Sequence, residues 1–127
     1  MRVLITGSRE VDPIAEAMVC GVLDEIDDVL LQRGIAEWTL VHGAARGVDT
    51  VAAFWGAGTE GVTLEPHAAD WSVGKVAGHR RNAAMVERGA EICLAFPRPD
   101  SRGTWDCARR AADAGIHVRI YPLGALA

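Results

Sequence analysis

Trp38-Thr39-Leu40-Val41-His42-Gly43-Ala44-Ala45-Arg46-Gly47-Val48-Asp49 runs from an apolar stretch through a glycine-rich turn into the start of a helical pattern. A strand that passes through a tight turn into a helix is half of a βαβ unit, and repeating that unit builds a parallel sheet with helices on its faces. The same order recurs on both sides of this segment. Upstream, an apolar run at residues 3–6 gives way to Gly7-Ser8-Arg9 and then to apolar residues at helical spacing. Downstream, further short apolar runs alternate with longer helical patterns. The alternation predicts strands at 3–6, 38–42, 62–66, 92–96 and 117–121, and helices at 13–33, 48–57, 73–88 and 104–114. Five strands and four helices in this order define an α/β fold: a Rossmann-like, doubly wound parallel sheet with strand order 3-2-1-4-5, helices on both faces, and one domain over residues 1–127.

Local signals refine the pattern. Pro13 suits the first turn of a helix, and Ile14, Met18, Val22, Leu23, Ile26, Val29 and Leu30 are expected to form its core-facing stripe. Gly34, Gly58, Gly89 and Gly115 fall where helices should stop, as a left-handed C-terminal residue prefers. Residues 124–127 are expected to fray.

Half of the 127 residues are apolar and 24% are charged, the balance of a foldable globular chain. No apolar run approaches the roughly 20 residues that span a bilayer, and no signal-peptide pattern opens the chain, so a cytoplasmic protein without membrane contact is expected. Cys20, Cys93 and Cys107 are odd in number and contain no CxxC pair, which points to reduced thiols. Lys75 is the only lysine, an arginine bias typical of a GC-rich bacterial or phage genome. A net charge of −4 without a basic run makes nucleic acid an unlikely partner. His42, His67, His79 and His117 lack metal-ligand spacing, so neither a metal nor a cofactor is expected.

In an open α/β sheet the ligand lies outside the carboxyl ends of the strands. The segments there are Gly7-Ser8-Arg9, the turn from Gly43 to Asp49, His67-Ala68-Ala69-Asp70-Trp71, and residues 97–104. Gly7, Gly43 and Gly47 allow close backbone approach, and Arg9, Arg46 and Arg81 supply forked phosphate donors. Asp49, Asp70 and Asp106 suit either helix capping or hydrogen bonding to ribose hydroxyls. Trp71 and Trp105 lie where a base could stack. Gly56-Ala57-Gly58-Thr59-Glu60-Gly61 fits the GxGxxG expression but follows a helix and precedes a strand, the reverse of a dinucleotide site. Gly74-Lys75 lacks the earlier glycine of a P-loop.

Taken together, Gly7-Ser8-Arg9, the turn from His42 to Asp49, the cluster Gly78-His79-Arg80-Arg81-Asn82 and Gly103-Thr104 resemble the SLOG superfamily, closest to its YspA/YpsA-type branch. The resemblance implies a Rossmann-like fold, a nucleotide-type ligand at the strand ends and a homodimer. It also implies kinship with the Lonely Guy phosphoribohydrolases, whose PGGxGTxxE loop works with an arginine in an HxRK segment. His79-Arg80-Arg81-Asn82 matches that segment, which makes Arg81 the counterpart of the catalytic arginine, and Gly103-Thr104 matches the loop's centre. The glutamate position falls on Cys107, leaving Asp106 as the nearest carboxylate, and residues 97–102 replace the PGG approach. DprA single-strand DNA binders share the superfamily, but the acidic balance here argues against that role.

The expected site places Gly7, Ser8 and Arg9 on one side of a crevice between the first and fourth strands, and Gly103 and Thr104 on the other. Gly43, Gly47 and Asp49 frame it, with Arg46, Arg81 and Asn82 completing the ligand set. Two functions stay open: a sensor or sequestering module for a nucleotide-derived phosphorylated small molecule, and a hydrolase of nucleotide N-glycosidic bonds using Arg81 and Asp106. The loss of the glutamate favours the first.

Overall fold

Arg2–Gly7 forms strand β1. Successive strand side chains point to opposite faces, so Val3 and Ile5 enter one core while Leu4 enters another. The computed structural model describes residues 1–124. Helix α1 spans Pro13–Gln32, β2 Trp38–His42, α2 Val48–Ala57, β3 Val62–Pro66, α3 Ala77–Arg88, β4 Ile92–Phe96, α4 Arg102–Asp113 and β5 His117–Ile120. All neighbouring strands pair in parallel in the order β3-β2-β1-β4-β5, as expected from the alternation. The switch point therefore lies between β1 and β4, where Leu4 sits opposite both Val41 and Cys93.

Helices α1 and α2 pack together on one face, over Val3, Ile5, Leu40, Leu94 and Phe96. On the other face α3 packs on α4, where Met85, Cys107 and Ala111 meet Leu4, Val41 and Cys93. Asp12 caps α1 by accepting the Ala15 N–H at 2.8 Å, and Pro13 occupies the first turn as predicted. Among the described residues no helix is long and apolar enough to cross a membrane.

Four local expectations need correction. The buried face of α1 is Ala15, Val19, Leu23 and Leu30, while Ile14 is 78% exposed and Met18 and Val29 also face outward. Periodicity located the helix but displaced its stripe, taking in the outward-facing Ile14, Met18 and Val29 and passing over Ala15 and Val19. Gly34, Gly89 and Gly115 do take positive φ, but Gly58 does not; the left-handed residue of that turn is Gly61 at φ +86°. The third helical segment is interrupted, with a 3-10 turn at Trp71–Val73, Gly74 at φ +87° and α3 starting only at Ala77. Finally, the Gly124 carbonyl is held by Arg98, so the expected fraying does not begin there. The other positions of that expectation lie outside the described residues.

Candidate functional site

The carboxyl ends of β1 and β4 open into a polar cleft of about 350 Å³. Gly7, Ser8 and Arg9 leave β1 on one side, and Gly103 and Thr104 in the first turn of α4 bound the other. Arg46 and Asp49 approach from the turn before α2, and Arg81 from α3. The structure thus brings together eight of the expected residues. Gly43, Gly47, Asn82 and Asp106 do not line the cleft; they shape what does.

Each of those four has an identifiable job. Gly47 takes φ +83°, and a Cβ there would run into the Ser8 carbonyl and lie 2.6 Å from the Arg9 carbonyl carbon, so only glycine lets the two loops cross. Gly43 lies under the Arg81 guanidinium, which donates to the Gly43 carbonyl; a Cβ would stand 2.6 Å from Arg81 Nη1. Asn82 accepts from Arg81 Nε at 2.9 Å and donates to the Gly103 carbonyl and to Asp106 Oδ2, each at 3.1 Å. Asp106 is the buried hub beneath, also accepting from Arg109 and Arg110 at 2.9 Å, with His79 Nδ1 3.2 Å away. Burial pushes its pKa up, but the hydrogen bonds from Asn82, Arg110 and His79 outweigh it and hold the carboxyl below its ordinary value.

Other expected roles shift. Gly7 owes its identity to packing, since a Cβ would strike the Val48 side chain at 2.5 Å. Ser8 Oγ accepts the Glu10 N–H at 3.0 Å and so shapes its own loop. Thr104 lies inside α4; the cap position belongs to Ser101, whose Oγ accepts the Arg98 N–H at 2.9 Å. Asp70 caps the 3-10 turn through the Ser72 N–H at 3.1 Å. Trp71 lies 5.3 Å from the Arg9 guanidinium in cation–π geometry and steadies that arginine. Cys107 is fully buried beside Cys93 in the core below the cleft.

The electrostatics favour an anion. Arg9, Arg46, Arg81 and Arg102 face the cleft, opposed by Glu10, Asp49 and Asp100. The Arg46–Glu10 pair at 3.0 Å is exposed on both sides and contributes little to stability. Gly103 and Thr104 N–H groups have no acceptor among the described residues, and they sit at the positive end of the α4 dipole. Asp49 accepts the Gly43 and Ala45 N–H groups through Oδ2 at 3.1 and 3.2 Å, whereas its buried Oδ1 has no partner among the described residues. Burial pushes its pKa up to about 6 against the opposing pull of those amides and of Arg81 and Arg9.

The sequence reading overlooked Thr6 and Glu10 as cleft residues, and it placed residues 97–104 on the ligand side without singling out Asp100, Ser101 or Arg102. Arg102 was the findable one: a guanidinium at the start of the helix after β4 is placed by the same rule that located Gly103.

Fold and cleft define a Rossmann-like α/β protein with an arginine-lined cleft at its topological switch point. Its residues 1–74 match the model of the YspA, cpYpsA-related SLOG family, and the chain belongs to that family. It is 47% identical over 122 residues to the Gene 61 protein of Mycobacterium phage D29, covering 92% of this chain and 93% of that protein. No solved structure matches the chain.

Proposed function

We propose that the protein binds a nucleotide or nucleotide-derived phosphorylated small molecule in this cleft, as a sensor or sequestering module. The observation that carries the reading is the convergence of four guanidinium groups and two unpaired α4 amides on one cavity at the switch point. Two features support binding over N-glycosidic hydrolysis: Cys107 is enclosed in the core, and both Asp106 oxygens are already taken by Asn82, Arg109 and Arg110.

Mass spectrometry of small molecules released by denaturing the purified protein tests the class of ligand, with a phosphorylated nucleotide as the expected species. Arg81→Ala removes a fork that is already oriented by Gly43 and Asn82. Losing charge-assisted hydrogen bonds of this kind costs about 1.5 to 3 kcal/mol, so calorimetry should record a roughly ten- to hundredfold weaker dissociation constant. An unchanged constant in a folded variant rejects the assignment.

Gly103 offers a second test. A Cβ built there meets nothing within 4 Å, so the fold does not require glycine at this helical position. Gly103→Ala is expected to stabilise the ligand-free protein by about 0.5 to 1 kcal/mol through lost backbone freedom in the unfolded chain. The same methyl group crowds the amides that await the phosphate, so affinity should fall. A variant that is both less stable and equally tight would show that the glycine serves the turn alone.

A further inference from the structure

A second cavity, of about 390 Å³, lies on the far side of the turn between β2 and α2. Its walls are almost entirely apolar: Ala53, Phe54 and Ala57 from one face of α2, and Leu64 from β3. Ala45 and Asp49 belong to its lining and also to that of the arginine cleft, so the two cavities meet at this turn. Asp49 is buried, and its Oδ1 has no hydrogen-bond partner among the described residues. An unpaired buried carboxylate oxygen is costly to maintain, and a ligand hydroxyl is the group that would satisfy it. His42 adds a donor. Its Nδ1 accepts the Ala44 N–H at 3.0 Å, which fixes the proton of the neutral ring on Nε2, and His42 belongs to the lining of the apolar cavity. Burial, and then the neighbouring His67, keep the ring's pKa below its ordinary value and so keep it neutral.

We infer that the apolar cavity is the base subsite of a ribonucleotide whose phosphate lies among the arginines and whose ribose hydroxyl donates to Asp49. The inference rests on the nucleotide reading above and extends it to the sugar and the base. The arginines line one cavity, the buried Asp49 stands at the turn shared by both, and the apolar slot with His42 lies beyond it. This is the order of phosphate, ribose and base in a nucleotide. Phe54, exposed on the rim, supplies an aromatic face for stacking.

Calorimetry on the intact protein decides it, using the four ribonucleoside monophosphates, their 2′-deoxy forms and ribose 5-phosphate as probes. At least one ribonucleotide should bind tenfold or more tightly than both its deoxy form and ribose 5-phosphate. Ala53→Leu, a good helix former that fills the slot, should weaken that nucleotide at least tenfold while ribose 5-phosphate keeps its affinity; Ala57→Leu serves as a second variant should the first fail to fold. Equal affinities for nucleotide and ribose 5-phosphate, untouched by either variant, would overturn the base subsite while leaving the phosphate cleft standing. Equal affinity for the ribo- and deoxy forms would overturn the hydroxyl contact to Asp49. A variant that changes only the sedimentation coefficient would make the slot a contact between two copies. Failure of every phosphorylated probe to bind would defeat the nucleotide reading itself, and this inference with it.

Discussion

Asp49→Asn is expected to make the ligand-free protein more stable at neutral pH by roughly 1 to 3 kcal/mol. The upper figure follows from a carboxyl whose pKa rises from an ordinary 3.8 to about 6 on folding, at about 1.4 kcal/mol per unit. The lower allows for the new amide, whose N–H groups would need acceptors at the unpartnered Oδ1 position. The sign of the pH dependence is fixed by linkage. Between pH 4 and 6 the folded state binds more protons at Asp49 than the unfolded state does, so the wild type loses stability there as pH rises. The gap between variant and wild type should therefore be small below pH 4, open between pH 4 and 6, and stay constant above. Chemical denaturation at several pH values measures it. A variant less stable than wild type at pH 7, or a gap independent of pH, would show that the carboxylate is comfortable where it is. A carboxylate whose burial opposes the stability of its own fold is a candidate for a binding role.

Arg98→Ala should act in the opposite direction and more strongly, costing about 3 to 5 kcal/mol of stability. Arg98 is only 3% exposed. Its Nε donates to the Glu10 carbonyl at 3.0 Å, and Nη1 donates to the Leu123 and Gly124 carbonyls at 3.2 Å. Nη2 lies 4.0 Å from Asp12, the cap of α1. One guanidinium thus joins the exit of β4, the loop that carries Arg9, and the segment after β5. Its removal takes the donor from three partly buried hydrogen bonds and leaves a void where the buried guanidinium stood. Arg98→Lys should recover little, because an ammonium cannot reproduce the fork. Thermal unfolding should show a drop of at least about 6 °C, at roughly 2 to 8 °C per kcal/mol for domains near this size. A shift within 1 °C would place Arg98 among ordinary surface residues.

These two residues mark the boundary of what the chain reveals on its own. Asp49 stood out in the sequence because it follows a glycine-rich turn, but both helix cap and ribose acceptor were open, with the cap favoured. Its strain arises only in the fold, where burial outweighs the help of the Gly43 and Ala45 N–H groups and of Arg81, and leaves Oδ1 without a partner among the described residues. Arg98 stood in a ligand-side stretch that departs from the family loop, and no neighbour in sequence foretold its burial.

The sequence by itself determined the alternation of strands and helices, the strand order, and the set of turns that meet at the switch point. Short-range periodicity, glycine stops and the right-handedness of parallel crossovers are local or general constraints, so they are written into any window of the chain. It also determined the family: residues 1–74, which include Gly7-Ser8-Arg9 and the turn from His42 to Asp49, match the family model. Only the tertiary structure decided which side of α1 is buried, that Gly103 is free of steric demand, and that an apolar cavity adjoins the arginine cleft. Each of these depends on atoms brought together from distant parts of the chain: Ala53 against Leu64, Arg81 against Gly43, Arg98 against Leu123. Burial and the electrostatic environment of a charge are properties of such encounters, and they exist only once the strands have assembled.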